Sequence, residues 1–327
     1  MMPPPLRVVD HSRPATVHYL CPHVDRPTGG IRAIYRHVDI LNAAGVPATV
    51  VHAPDGFSCT WFDHDTRITG ARSVALSRQD VLVVPEWYGP CLKALPIGPR
   101  IVIFNQNAYN TFAQLDDTAA PGAPYRGIPG LEEILVVSRD NADYMRFAFP
   151  ELAVTQVRNA IDSALFHPPE RSPGRRVAWM PRRRADDARQ VLRLLAAHGS
   201  LQGWEIVPIE NCAEAATADL LRSCAIFLSF SAQEGFGLPP AEAMACGCYV
   251  VGFPGLGGRE YFDPAFSSPI DEGDVLAFAK ETAAVLGEDP ARLAKCARSA
   301  SAHVLSRYSL KGQREDLLAF FHRLLGA

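Results

Sequence analysis

Apolar residues recur along the chain in two rhythms. Short, nearly continuous apolar runs lie at Thr16–Cys21, Ala48–His52, Val81–Val84, Arg100–Phe104 and Ile134–Val137, and again at Arg176–Met180, Trp204–Ile209, Ala225–Leu228 and Tyr249–Phe253. Runs this short, bounded by turn residues, read as buried strands. Between them the spacing becomes helical: Ile31, Ile34, Val38 and Leu41 share one face, and Gly45 marks the stop. Further helices are predicted over Ala215–Ser223, Asp274–Leu286, Pro290–Val304 and Leu310–Leu325. The last has a broad apolar face built from Leu317, Leu318, Phe320, Phe321, Leu324 and Leu325. Strands alternating with helices predict an α/β fold with parallel sheets covered on both faces. Residues 110–130, rich in Ala, Pro, Gly and Asp, read as a loop over a sheet's carboxyl edge, and the opening MMPPPLRVVDHSRP as a loosely attached lead-in.

The pattern changes most sharply at 229–247, SFSAQEGFGLPPAEAMACG. A short strand leads into Glu234-Gly235-Phe236-Gly237-Leu238, after which Pro239 and Pro240 open an alanine-rich segment that closes at Gly247. Proline in a first helical turn and glycine just past the end are matched start and stop signals. Strand, glycine loop and helix N-terminus together present backbone N–H groups and the positive end of a helix dipole to an anion. Glycines at 235 and 237 let a ligand approach the backbone closely. Glu234 and Glu242 frame the loop. A carboxylate repels phosphate but accepts from vicinal hydroxyls, so a ligand carrying both sugar and phosphate suits the stretch. The plain alternative is a capped surface helix with a solvated Glu242.

The string EGFGLPPAEAMACG resembles the E-x7-E signature of retaining GT-B glycosyltransferases, family four in particular. The resemblance implies a GT-B fold, two Rossmann-like domains with parallel sheets facing a central cleft. It also implies a nucleotide-sugar donor, no cofactor beyond that substrate, and retention of configuration. Carried over residue by residue, Glu242 would hold the donor ribose and Glu234 the hydroxyls of the transferred sugar. Gly235, Phe236, Gly237 and Leu238 would face the sugar and diphosphate. The turn Gly29-Gly30 follows the first strand, where ligands of open α/β sheets bind. In the resembled family such a pair lines the cleft, which makes Gly30 a donor-side and Gly29 an acceptor-side candidate. Asn105-Gln106-Asn107 stands where family members often carry a histidine. Asn107 is a candidate for acceptor hydroxyls, and an amide-rich turn binding its own backbone is the alternative.

The segment VRNAIDSALFHP at 157–168 resembles the family's N-G-[IV]-D-x-x-x-F-x-P, with Ala160 in place of glycine, and Asn159 enters the candidates as a cleft residue. Residues 168–174 then read as linker, which suggests domains 1–165 and 166–306 with a terminal helix, 307–327, crossing back to the first. After the strand at 176–180 comes Pro181-Arg182-Arg183-Arg184-Ala185-Asp186-Asp187. In the family this turn holds an arginine and, five residues later, a lysine, both reaching the diphosphate. Arg182 matches the arginine and is expected to stabilise the departing diphosphate together with Glu234 at the reacting sugar. Asp187 occupies the lysine position, so Arg183 and Arg184 are both candidates for the replacement cation; the solvated reading is favoured for Arg183, and Arg184 enters as a donor-binding residue. Residues 254–260 resemble the family's G-G-x-x-E turn, slightly shifted.

Length favours two domains. A net charge of −3 argues against a general nucleic-acid binder. No apolar run approaches the ~18–20 residues of a membrane-spanning helix, though peripheral contact is compatible with the chain. The opening residues lack the apolar core of a secretory signal. Eight scattered cysteines without a C-x-x-C pair give no zinc signature and point to a reducing, cytoplasmic setting. Asp63-His64-Asp65 has the form of a D-x-D metal motif but follows Trp61-Phe62 in a polar stretch and reads as loop, so no metal is expected. None of His18, His23 and His52 is assigned as a base. The expectation is a metal-independent, retaining hexosyl- or deoxyhexosyltransferase acting on a glycan or lipid-linked acceptor. An inert nucleotide-sugar-binding subunit and a GT-B epimerase remain the alternatives. A dinucleotide oxidoreductase would need a G-x-G-x-x-G turn that the first strand does not supply.

Overall fold

The structure, a computed structural model, describes residues 2–10, 13–181 and 183–326. Two compact units divide the chain, one holding residues 1–159 and 313–327, the other 160–312.

The first unit contains β1 (Arg7–Val8), β2 (Val17–Leu20), α1 (Gly29–Ala43), β3 (Ala48–His52), β4 (Ile68–Gly70), β5 (Ala75–Leu76), β6 (Val81–Pro85), β7 (Arg100–Asn105), β8 (Leu131–Val136), α2 (Arg139–Ala148) and β9 (Ala153–Gln156). Seven of these strands form a parallel sheet in the order β4-β3-β2-β6-β7-β8-β9. The chain winds outward from β2 to β4, then returns to β6 and winds the other way. That reversal leaves a crevice at the carboxyl ends of β2 and β6. Every residue of β6 is buried, as expected for a central strand covered on both faces. The apolar stripe of α1, including Ile31, Ile34, Tyr35, Val38 and Leu41, is buried at helical spacing, and the helix packs on β2 and β3. Asn42 then brackets the start of β3, giving and taking one hydrogen bond with the Ala48 backbone at 2.9 and 3.0 Å.

The opening segment differs from the expected loose lead-in. Arg7 and Val8 pair in parallel with Ala75 and Leu76 as a separate two-stranded sheet, and the Val9 amide continues the ladder to the Leu76 carbonyl at 2.8 Å. Two-residue strands carry too little periodicity to be read from a single sequence.

The second unit contains β10 (Gly174–Trp179), α3 (Ala185–His198), β11 (Glu205–Pro208), α4 (Glu214–Arg222), β12 (Cys224–Phe230), α5 (Leu238–Ala245), β13 (Tyr249–Phe253), β14 (Ser268–Pro269), α6 (Val275–Leu286) and α7 (Pro290–Arg307); α8 (Leu310–Leu325) follows. Its parallel sheet runs β11-β10-β12-β13-β14. On β12 the alternate residues Ile226, Leu228 and Phe230 join one core with Ala188, Val191 and Leu195 of α3 and Phe278 and Val285 of α6. Phe230 stacks on Phe278 with ring centroids 4.7 Å apart. Residues 168–174, read from sequence as linker, group with this unit. Pro168 and Pro169 lie against Gly247, and Arg222 donates to the Leu165 carbonyl at 2.5 Å.

Leu317, Phe320 and Phe321 of α8 are buried. Phe321 lies 6.3 Å from the Tyr19 ring, and Arg158 donates from Nε and Nη2 to the Asp316 carboxylate at 2.6 and 2.8 Å. Arg323 pairs with the buried Glu133 at 2.9 Å. No helix among the described residues is long and apolar enough to cross a membrane.

Candidate functional site

In the second unit β10 is the first strand of the sheet and lies between β11 and β12, so the winding reverses between β10 and β12. Ligands of doubly wound sheets bind at the carboxyl ends of such a pair. There the structure has a small open cavity of about 40 Å³, lined by Met180 and Arg183 beyond β10, Phe230 at the end of β12, Ser231 and Glu234 beyond it, and Pro240 of α5.

The glycine loop is built by a second turn behind it. Glu234 donates its amide to the Gly255 carbonyl at 2.7 Å, and its own carbonyl accepts from Gly257 at 3.1 Å. The two turns approach so closely that a Cβ on Gly257 would lie 2.2 Å from the Gly235 carbonyl oxygen. Gly237 has φ +81°, a conformation costly for other residues, and a Cβ there would meet the Tyr261 hydroxyl at 2.9 Å. That buried hydroxyl donates toward the carbonyls of Phe236 and Gly237, at 3.2 and 2.5 Å. Across a trans peptide the next N–H points opposite to the carbonyl, so the amides of Gly237 and Leu238 are aimed away from Tyr261. They are followed by the first turn of α5, where Pro239 and Pro240 carry no N–H and the leading amides are those of Leu238 and Ala241. Phe236 itself is buried, with its ring 4.9 Å from Tyr308 and 5.2 Å from Tyr261.

Glu242 lies on α5 and is only 7% exposed, which excludes the solvated-glutamate alternative. Glu234 lies at the cavity, its Oε1 3.0 Å from Arg183 Nε. Arg183 is 48% exposed and is the basic side chain, among the described residues, that lines the cavity.

Arg184 is engaged elsewhere. It enters α3 in the left-handed region, with φ 43°, and donates to the Ser231 carbonyl at 3.2 Å. It also pairs with Asp187 at 3.2 Å and with Glu272, while the guanidinium lies 4.9 Å from the Phe253 ring centroid. Glu272 in turn accepts from the Gly255 amide at 3.1 Å. Two carboxylates therefore balance Arg184, and it braces the loops behind the cavity. Of these two arginines, Arg183 faces Glu234, and Arg184 ties the loops behind the cavity. Arg182 lies outside the described residues.

The first unit has its own cluster at the β2/β6 reversal. Gly29 and Gly30 open α1, and Gln106 Nε2 donates to the Gly30 carbonyl at 3.0 Å. A Cβ on Gly30 would lie 3.2 Å from that nitrogen. Asn107 accepts from the Tyr109 amide at 3.1 Å, forming the local amide turn that the sequence allowed. Glu86, directly after β6, is a residue the sequence reading missed. It is 3% exposed, and its two oxygens accept from the amides of Gln106 and Asn107, both at 3.1 Å. Burial pushes its carboxyl up to about 7 against the pull of those amides. The available signal was a carboxylate abutting a fully apolar strand, VLVVPE. Asn159, buried, is the last residue of the first unit before the chain enters the second.

His52 is a structural histidine: Tyr35 lies 2.7 Å from Nε2 and the Cys21 carbonyl 3.0 Å from Nδ1, and burial lowers its pKa to about 4. Asp63, His64 and Asp65 lie in a loop, and no group of three or more metal-ligating side chains occurs among the described residues.

Residues 208–302, which include both Glu234 and Glu242, match the family described as "Glycosyl transferases group 1". An "Alpha-1,6-glucosyltransferase" of Actinobacillus pleuropneumoniae serotype 7 (strain AP76) is 27% identical over 278 residues, covering 80% of this chain and 81% of that protein. Among solved structures, sucrose-phosphate synthase from Thermosynechococcus elongatus superposes with a TM-score of 0.70 at 14% identity, covering 95% of this chain and 99% of that one. Anabaena Alr3699/HepE in complex with UDP and glucose gives 0.66 at 14% identity, over 94% of this chain and 100% of that one. The fold is GT-B, and the sequence relatives support a glycosyltransferase.

Proposed function

We propose that this protein transfers a hexosyl group from a nucleoside diphosphate to an acceptor hydroxyl, with retention and without a metal, in glycan or glycoconjugate synthesis. The observation that carries the reading is the cavity at the β10/β12 reversal, where Glu234 and Arg183 meet beside the amides that open α5. The name of the Actinobacillus relative and the UDP and glucose bound in the Anabaena structure make UDP-glucose the first donor to test.

The barrier lies in parting the anomeric carbon from phosphate, so positive potential is needed where the leaving-group charge grows. The amides of Gly237 and Leu238, the N-terminal end of α5 and Arg183 supply it, and Arg182 is proposed to add a second guanidinium. Charge-assisted hydrogen bonds of this kind are the strong ones. Glu234 accepts sugar hydroxyls and Glu242 the ribose hydroxyls. The acceptor hydroxyl attacks from the face the diphosphate leaves and passes its proton to the departing phosphate oxygen, which gives retention. Gly29, Gly30, Asn107 and Asn159 of the first unit are proposed to serve the acceptor and the donor phosphates. Scattered free thiols favour a cytoplasmic setting. The tie between Arg184 and Asp187 removes one cation from the diphosphate and is the observation that favours an inert sugar-nucleotide-binding subunit instead.

Turnover of radiolabelled UDP-glucose, assayed with an alkyl glucoside acceptor before and after exhaustive EDTA, separates these readings. Equal rates and an α-linked product are expected. Binding without turnover supports the inert subunit. Loss restored by magnesium or manganese contradicts metal independence and returns attention to Asp63 and Asp65, and a β-linked product contradicts retention.

A further inference from the structure

Glu86 is a carboxylate held at the carboxyl end of the central strand β6 and almost wholly removed from water. Removing a carboxylate from water is costly unless a cation or several donors replace the solvent. Among the described residues no basic side chain pairs with Glu86, and its partners are backbone amides, those of Gln106 and Asn107 and its own. An apolar residue of similar size would fill the place without that cost. A desolvated carboxylate at the reversal point of a doubly wound sheet is therefore a candidate for function.

What it holds is specific. Oε2 accepts from Gln106 and Oε1 from Asn107, so the carboxylate grips two successive amides of the turn that leaves β7. From the other side Asn141 of α2 accepts from the Ala108 amide at 3.4 Å. The turn passes this order on, because Gln106 reaches the Gly30 carbonyl at 3.0 Å. The titratable neighbour is the buried Tyr125, whose hydroxyl accepts from Asn105 Nδ2 at 2.8 Å and whose pKa is raised by burial first and by the Glu86 charge second.

We propose that Glu86 is the positioning residue of the first unit, holding the Gln106–Asn107 turn and, through Gln106, the Gly29–Gly30 turn in the arrangement that receives the acceptor. The inference rests on the glycosyl-transfer reading above. Ionised, Glu86 offers an acceptor to each amide. Protonated, one oxygen becomes a hydroxyl facing an N–H, and the grip weakens. The neutral and charged forms exchange near the pKa of about 7, so acceptor binding should weaken as pH falls through neutrality.

The test measures turnover of UDP-glucose with octyl β-D-glucoside between about pH 5.5 and 8.5 for wild type, Glu86→Gln and Gln106→Ala. Wild type should show an acidic limb near neutrality that resides in the acceptor KM, with the donor KM unmoved. Glu86→Gln should lose that limb and carry an acceptor KM raised about tenfold at high pH, the loss of roughly one charge-assisted hydrogen bond. Gln106→Ala should keep the limb and raise the acceptor KM. An unchanged limb in Glu86→Gln, or equal changes in both KM values, overturns the proposal. If Glu86→Gln fails to fold, Gln106→Ala decides, and a wild-type acceptor KM there overturns it. If wild type does not turn over UDP-glucose, the transfer reading for that donor fails instead, and amide exchange decides the inference. Protection of Gln106 and Asn107 that falls between about pH 8 and 6, beyond the intrinsic rate change, supports it, and pH-independent protection overturns it.

Discussion

Replacing Arg183 by alanine should lower turnover by about a hundred- to a thousandfold, the scale of removing one preorganised donor from a developing anion. Arg183 lines the cavity and lies 3.0 Å from the Glu234 carboxylate, so it is placed to serve both the leaving diphosphate and the orientation of Glu234. The ion pair is partly exposed and contributes little to stability on its own. The melting temperature should consequently stay close to wild type while kcat collapses. Because the growing charge belongs to the transition state, donor KM should change far less than kcat. Steady-state kinetics on a variant with an unchanged melting temperature check this. Near-normal turnover would return Arg183 to the solvated role suggested by sequence.

Gly257→Ala should be nearly as damaging by a different route. Its Cβ would lie 2.2 Å from the Gly235 oxygen and 2.6 Å from the Glu234 oxygen, both backbone atoms that cannot swing aside. The two turns must separate, and the amides that open α5 move with them. Overpacking of this kind costs about 1–3 kcal/mol of stability, and displacing a reacting site by ~1 Å costs on the order of a hundredfold in rate. Gly287→Ala is the control, because its nearest neighbour would be an ordinary 3.6 Å away. Melting curves and turnover on the two variants decide it. Equal behaviour would mean that the paired turns do not set the donor loop.

Elements with strong physical signatures were legible. β3 and β13 have the bounds expected from Ala48–His52 and Tyr249–Phe253, because both are buried apolar runs between turn residues. The apolar stripe of α8 likewise marked Leu310–Leu325. The strands β1, β4, β5 and β9 escaped notice because they are short and partly exposed, with little contrast between faces. The glycine loop was legible because strand, glycines, prolines and two carboxylates all agree. Three consecutive arginines were not. Which of Arg183 and Arg184 meets the loop depends on the left-handed backbone of Arg184, a tertiary consequence of its ties to Glu272 and Asp187. Glu86 stayed hidden for a similar reason. A lone carboxylate after a strand belongs to no motif, and its raised pKa arises only once β6 and β7 enclose it.

The central claim is that α5 and its preceding loop form a nucleotide-sugar site, with Glu242 on the ribose. Calorimetric titration of UDP and other nucleoside diphosphates into wild type and Glu242→Ala tests it most directly. Wild type should bind one of them, and Glu242→Ala, still folded, should bind it about 10- to 150-fold more weakly, equivalent to about 1.5–3 kcal/mol for hydrogen bonds to a charged group. Equal affinity in the two proteins would contradict the ribose assignment, and no binding of any nucleoside diphosphate to wild type would contradict the site itself.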